Sequence, residues 1–167
     1  MKYFYSIILF SLCLSQWFDI SHDGYNRSYY VAYPEGVEES LPLIINMHGY
    51  GGNAAGQISY TQMNQYAHEQ GMAVVYPQGL NNSWNVYTYW DSNTSDDVGF
   101  ISAMIDTIIS DFDIDIDRIY ACGMSNGGYM AYRLACDLSD KIAAFGSVTG
   151  NLMLIPSLVG DCISQNR

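Results

Sequence analysis

Six residues, Gly123-Met124-Ser125-Asn126-Gly127-Gly128, stand between an apolar run, Ile119 to Cys122, and a helical pattern that begins near Asn126. A serine held between glycines at such a junction is the signature of a strand, a sharp turn and a helix, with the hydroxyl at the apex. The turn is so tight that a side chain at Gly123 or Gly127 is expected to collide with neighbouring backbone. The helix N-terminus behind Ser125 turns unpaired N–H groups and the positive dipole end toward the place where an oxyanion would form. Alone, the pattern also fits a plain tight turn. A second motif adds weight: His48-Gly49-Tyr50-Gly51-Gly52 follows the apolar run Leu43 to Met47, where a loop donating a second oxyanion N–H is expected.

The rest of the chain alternates strand and helix. Arg27 to Tyr33 alternates polar and aromatic residues after the turn signal His22-Asp23-Gly24, and reads as a half-buried strand. Leu43 to Met47 and Met72 to Tyr76 read as buried strands. A helix is expected over Ser59 to Gln70, with Met63, Tyr66 and Ala67 on one side and His68 facing solvent. Gln78 to Ser95 fits no period and reads as a long surface loop whose aromatics Trp84, Tyr87, Tyr89 and Trp90 either stack on ligand rings or pack locally. Thr94 to Asp97 starts a helix that ends near Asp111. Ile119 to Cys122, Asn126 to Asp137 and Ala143 to Val148 complete the series as strand, helix and strand. This order predicts an α/β fold, a mostly parallel sheet with helices on both faces. The aspartates at 111, 113, 115 and 117 do not make a calcium loop, because Ile116 and Cys122 occupy the positions that need glycine and glutamate. A helix end and a turn into the next strand explain them.

Seventeen acidic against six basic side chains give a formal charge of −11 and exclude nucleic acid as a partner. Residues 1–15 read as a signal peptide: Lys2, an apolar stretch from Tyr3 to Leu14, then Cys13-Leu14-Ser15 before a cut at Gln16. That stretch is shorter than the roughly 20 residues of a membrane span, so no stable membrane anchor is expected. The alternatives are a buried N-terminal strand or helix, or a lipoprotein, against which Leu12 argues. Cys122, Cys136 and Cys162 remain after cleavage. Cys122 ends an apolar run as a buried thiol would, which leaves Cys136 and Cys162 as the candidate disulfide. With no CxxC spacing, no metal site is expected.

These motifs together resemble the secreted esterases of the polyhydroxybutyrate depolymerase and feruloyl or acetylxylan esterase group, within the α/β-hydrolases. The resemblance rests on His22-Asp23-Gly24 with Arg27 and Tyr29, the strand into His48-Gly49, Val74 to Gly79, Asp96 to Phe100, Gly123 to Gly128, and Met130 to Cys136. It implies hydrolysis of a polymeric or small ester through an acyl-enzyme on Ser125, without cofactor. The oxyanion hole would be the backbone N–H groups of Tyr50 and Asn126, with His48 and Gly49 supporting the loop. In this group the order is Ser, Asp, His, yet no histidine follows Ser125. Asp137 lies roughly 18 Å along its helix from Ser125, and Asp161 comes before the strand expected to precede the acid. His48 is better suited to bracing its loop than to acting as base, and His22 belongs to a turn before the first strand. Residues 16–167 are therefore expected to be the N-terminal part of an esterase domain that lacks its C-terminal strands and is inactive alone. Two other functions compete: a non-catalytic relative that binds an ester or carbohydrate, and a serine peptidase of the prolyl oligopeptidase kind.

Overall fold

The computed structural model describes residues 15–87 and 92–152. Six strands of the described residues form one sheet: β1 (Gln16–His22), β2 (Tyr25–Ala32), β3 (Leu41–Met47), β4 (Ala73–Pro77), β5 (Ile114–Met124) and β6 (Ala144–Val148), in the spatial order β1-β2-β4-β3-β5-β6. β4, β3, β5 and β6 run parallel; β1 and β2 are joined antiparallel at one edge. The β1–β2 turn is Asp23-Gly24, both at positive φ (49° and 77°), the conformation that matches the twist of a two-residue hairpin. Among the described residues four α-helices cover the sheet: α1 (Ala54–Thr61), α2 (Met63–Glu69), α3 (Asp97–Asp111) and α4 (Asn126–Asp137).

Strand alternation divides the core in two. Leu43, Ile45, Met47, Ala73, Val75, Ile119 and Ala121 meet Phe100, Ile101, Met104, Ile105 and Ile108 of α3 and Met130, Ala131 and Leu134 of α4 on one face. Val74 and Tyr76, with Ile44 packed against them, meet Ala54 of α1 and Ala67 of α2 on the other. The central strands are buried on both faces, which is why they are continuously apolar in sequence. Among the described residues no helix is long and apolar enough to cross a membrane, and β6 is the edge strand beside β5.

Five expectations need correction. β1 precedes the strand expected to be first, and His22 is its last residue, not part of a turn. Phe18 and Ile20 lean on the larger core from this strand while Trp17 stays exposed. The single helix expected over 59–70 is two helices. α1 starts at Ala54, its N-cap Asn53 accepting from the Gly56 N–H, and Gln62 breaks the run at φ 49°, ψ 27°. Tyr66 accordingly does not share a buried side with Ala67, being 62% exposed, and His68 is half-buried, with an Nε2 that lacks a partner among the described residues.

β5 starts at Ile114, well before the expected Ile119. Its pairing jumps from Leu41↔Ile114 to Leu43↔Ile119, so Asp115 and Asp117 sit in a bulge, where Asp115 accepts from the Asp117 N–H and from Arg118. α3 is capped by Asp96, which accepts from the Gly99 N–H at 2.9 Å, two positions later than the expected start at Thr94. Finally, the 78–95 segment is not all surface: Trp84 is fully buried. It cannot stack on a ligand ring. Tyr87 remains exposed, with the Arg133 guanidinium 4.1 Å from its ring centre, while Tyr89 and Trp90 lie outside the described residues, as do residues 1–14 and Cys162.

Candidate active site

Ser125 sits between β5 and α4 at φ 52°, ψ −116°, a backbone state that costs a non-glycine residue about 1–3 kcal/mol and persists only where its surroundings enforce it. Those surroundings are close-packed backbone. A Cβ on Gly123 would lie 2.5 Å from the carbonyl carbon and oxygen of Gly127, and one on Gly127 would lie 2.4 Å from the Met47 oxygen and 2.6 Å from the His48 oxygen. One on Gly128 would lie 2.6 Å from the Ser147 hydroxyl. The glycines are therefore required by close contact and not by a positive φ, which none of the three has, and they seat the turn directly on the end of β3. The Ser125 N–H donates to the Val148 oxygen at 2.8 Å, and its carbonyl accepts from Tyr129 at 2.9 Å. Both fix the turn from either side.

The loop after β3 lies against the same serine. A Cβ on Gly49 would fall 3.6 Å from Ser125 Cβ, so the next peptide, that of Tyr50, begins beside the hydroxyl-bearing residue. Among the described residues nothing accepts from the Tyr50 N–H, whereas the following N–H groups are used: Gly51 donates to the Asn82 oxygen (2.8 Å) and Gly52 to the Gly49 oxygen (3.0 Å). Asn126 is the first residue of α4, where the backbone N–H has no helical acceptor. Two unspent N–H donors thus come from separate segments that meet at Ser125. A developing negative charge placed there is stabilised by both and by the helix dipole.

His48 is 1% exposed and bonded at both ring nitrogens. Nε2 accepts from the Gly79 N–H at 3.0 Å, so Nδ1 carries the proton and donates to the Gly49 oxygen at 2.9 Å. Burial pushes its pKa below the ordinary histidine value, against the opposing pull of the Gly49 carbonyl. A neutral ring with both nitrogens engaged is a brace for the loop and has no free lone pair for proton abstraction. His22 bonds Asp96 at 3.0 Å but stands on β1, four strand positions from β5, or about 19 Å at normal strand spacing. His68 lies near the end of α2 that leads into the start of β4, and so at the end of the parallel strands opposite the one that carries Ser125.

Sequence reasoning missed the bracket that holds the two donors together. Trp84 donates its indole N–H to the His48 oxygen at 2.8 Å, and its ring centre is 4.9 Å from that of His48. The buried Asn126 side chain clasps the Trp84 backbone, accepting from its N–H at 2.7 Å and donating to its carbonyl at 3.1 Å. Gln78 adds a further tie by accepting from the Ala54 N–H at 2.9 Å. The only cue in sequence was a tryptophan inside a polar run without period, which is equally the cue for an exposed aromatic. Cys136 is disulfide-bonded and Cys122 is a free thiol whose pKa burial raises to about 11, unsuited to a nucleophile.

A sequence model described as "Esterase PHB depolymerase" matches residues 27–155. The chain belongs to this family. Feruloyl esterase C of Emericella nidulans is 33% identical over 135 residues, covering 76% of this chain and 47% of the relative. The bifunctional acetylxylan esterase/xylanase XynS20E of Neocallimastix patriciarum is 31% identical over 127 residues, 76% of this chain and 18% of the relative. Among solved structures, an acetyl xylan esterase from Aspergillus awamori superposes with a TM-score of 0.67 at 17% identity, over 82% of this chain and 55% of that one, a likeness of fold. The chain spans half or less of the length of the curated esterases it matches. Within the esterase family, the α/β-hydrolase architecture expected from sequence is present, and the match takes in both the loop after β3 and the Ser125 turn.

Proposed function

We propose that this protein is a secreted serine esterase that cleaves ester bonds of a polyester or of an esterified plant polysaccharide. The observation that carries the reading is the strained Ser125, at φ 52°, placed between two unspent backbone N–H donors. In this mechanism the Ser125 oxygen attacks the ester carbonyl carbon as its proton passes to a base. The carbonyl oxygen takes the negative charge and receives the N–H groups of Tyr50 and Asn126. Collapse of the tetrahedral intermediate expels the alcohol, which takes up the proton, and leaves an acyl group on Ser125. Water then repeats the sequence and releases the acid. None of the three histidines reaches Ser125, so the base and its carboxylate partner belong to chain beyond these 167 residues, of which this is the N-terminal esterase segment. Residues 1–15 act as the export leader, and Cys162 is the partner of Cys136. The disulfide-bonded state of Cys136 supports an oxidising destination.

The test is p-nitrophenyl butyrate hydrolysis by the full-length protein and by residues 16–167, each beside Ser125→Ala. The full-length protein is expected to turn over at an ordinary enzyme rate, about 1–10³ per second, and to lose it in the variant. The segment alone retains at most a residual acceleration from its oxyanion hole, about 10³-fold over water. Equal rates in the full-length protein and its Ser125→Ala variant would move the reading to a non-catalytic binding relative.

A further inference from the structure

Trp84 bonds both halves of the oxyanion hole, and what holds Trp84 is a buried ion pair far along the chain from either half. Asp97 is 0% exposed and Arg27 2%, and they meet at 2.6 Å through Arg27 Nη2 and Asp97 Oδ1. The second carboxylate oxygen accepts from the Asn85 N–H at 2.7 Å and from the Ser95 hydroxyl at 3.0 Å. Arg27 is fixed in turn: Nη2 also donates to the Gln78 oxygen at 3.3 Å, and the guanidinium carbon lies 3.9 Å from the centre of the Phe100 ring. Asn85 follows Trp84 directly, so the Asp97 carboxylate ends the very peptide whose other end is clasped by Asn126.

We propose that Asp97, held by Arg27, is a positioning residue for the oxyanion hole, acting through Asn85 and Trp84. Every step of the connection is a buried or part-buried hydrogen bond: Asp97 to the Asn85 N–H, the Trp84 backbone to the Asn126 side chain, and the Trp84 indole to the His48 carbonyl. Fixing Trp84 sets the distance between the α4 N-terminus and the loop that carries Tyr50. Ionised Asp97 accepts at both oxygens, and no neutral isostere does: an asparagine must turn an NH₂ toward either Arg27 or the Asn85 N–H. The bond to Asn85 is then lost or the pair to Arg27 is. A buried carboxylate of this kind is also retained for packing alone, which predicts lower stability with unchanged chemistry.

The inference rests on the esterase reading, and the two fail separately. In the full-length protein, Asp97→Asn is expected to lower kcat for p-nitrophenyl butyrate by about tenfold to a hundredfold, the scale of an ångström-sized misplacement, while KM changes less than about twofold. Rates are referred to the fraction of folded sites, counted by stoichiometric phosphonylation of Ser125. Trp84→Phe, which removes the indole N–H together with part of the buried ring, is expected to lower kcat in the same way, and the double variant to lose less than the product of the two single losses. An Asp97→Asn protein with unaltered kcat per folded site, or losses in the double variant that multiply in full, overturns the positioning role. Absence of Ser125-dependent hydrolysis in the unsubstituted protein overturns the esterase reading itself. Should Asp97→Asn not fold, Ser95→Ala removes one bond to the same carboxylate and is read by the same kcat and KM split, with a kcat loss of about threefold to tenfold expected.

Discussion

Gly127→Ala is the substitution for which the structure sets the magnitude most tightly. Its added methyl would stand 2.4 Å from the Met47 oxygen, about 1 Å short of the 3.4 Å at which ordinary contact begins, and 2.6 Å from the His48 oxygen. Both obstacles are backbone carbonyls at the end of β3, so no side-chain rotation relieves them. The His48 oxygen is also the acceptor of the buried Trp84 indole N–H at 2.8 Å, and moving it strains that bond. Overpacking of about 1–3 kcal/mol and partial loss of a buried hydrogen bond, about 1–3 kcal/mol, together give about 2–6 kcal/mol. For a chain of this size that corresponds to a fall in Tm of roughly 4–24 °C. Gly71→Ala is the matching comparison, because Gly71 has φ +65° with nothing within 4 Å. It isolates conformational strain without crowding and is expected to cost only about 1 kcal/mol. Urea unfolding followed by tryptophan fluorescence compares the two. A Gly127→Ala protein no less stable than Gly71→Ala would refute the claim that close backbone contact fixes the turn.

Asn126→Ala leaves the Trp84 N–H and carbonyl without their buried partner and is expected to cost about 2–4 kcal/mol, read from the urea midpoint. Ser125→Gly relieves the positive φ of the turn and is expected to stabilise the fold by about 1–2 kcal/mol in a thermal melt, while abolishing esterase activity. His48 has a folded-state pKa below its unfolded value because burial disfavours the charged ring, so the folded state prefers the neutral form. Its contribution to stability is complete above about pH 6.5 and is lost as the pH falls from there toward the depressed folded value. His48→Gln is therefore expected to show a smaller loss of stability between pH 7.5 and pH 5 than the unsubstituted protein, measured by urea midpoints at each pH.

What was legible in sequence follows the strength of local constraint. α4 runs over the expected Asn126–Asp137, because a glycine-flanked serine permits only one turn there, and β3, β4 and β6 lie within two residues of expectation, as continuous apolar runs between glycine and proline stops do. β1 was not legible, since an edge strand with one exposed face carries few apolar residues and its start adjoins a stretch read as a leader. The break at Gln62 was not legible either, because glutamine gives no sign of adopting φ 49°; packing of α1 and α2 on the smaller core imposes it. At the candidate site, the motifs single out Ser125, Asn126, Tyr50 and His48, which the structure brings together. Trp84, Arg27 and Asp97 were not placed there, because their contacts join residues 36 to 70 positions apart and leave no local period.

The central claim is that Ser125 is an activated acyl nucleophile. Intact-mass spectrometry of the full-length protein treated with a fluorophosphonate, followed by peptide mapping, tests it most directly. The expected result is a single phosphonyl adduct on the peptide that contains Ser125, formed within minutes, absent after Ser125→Ala and slowed by prior incubation with an ester substrate. A protein that stays unlabelled, or one whose adduct maps to any other residue, would contradict it.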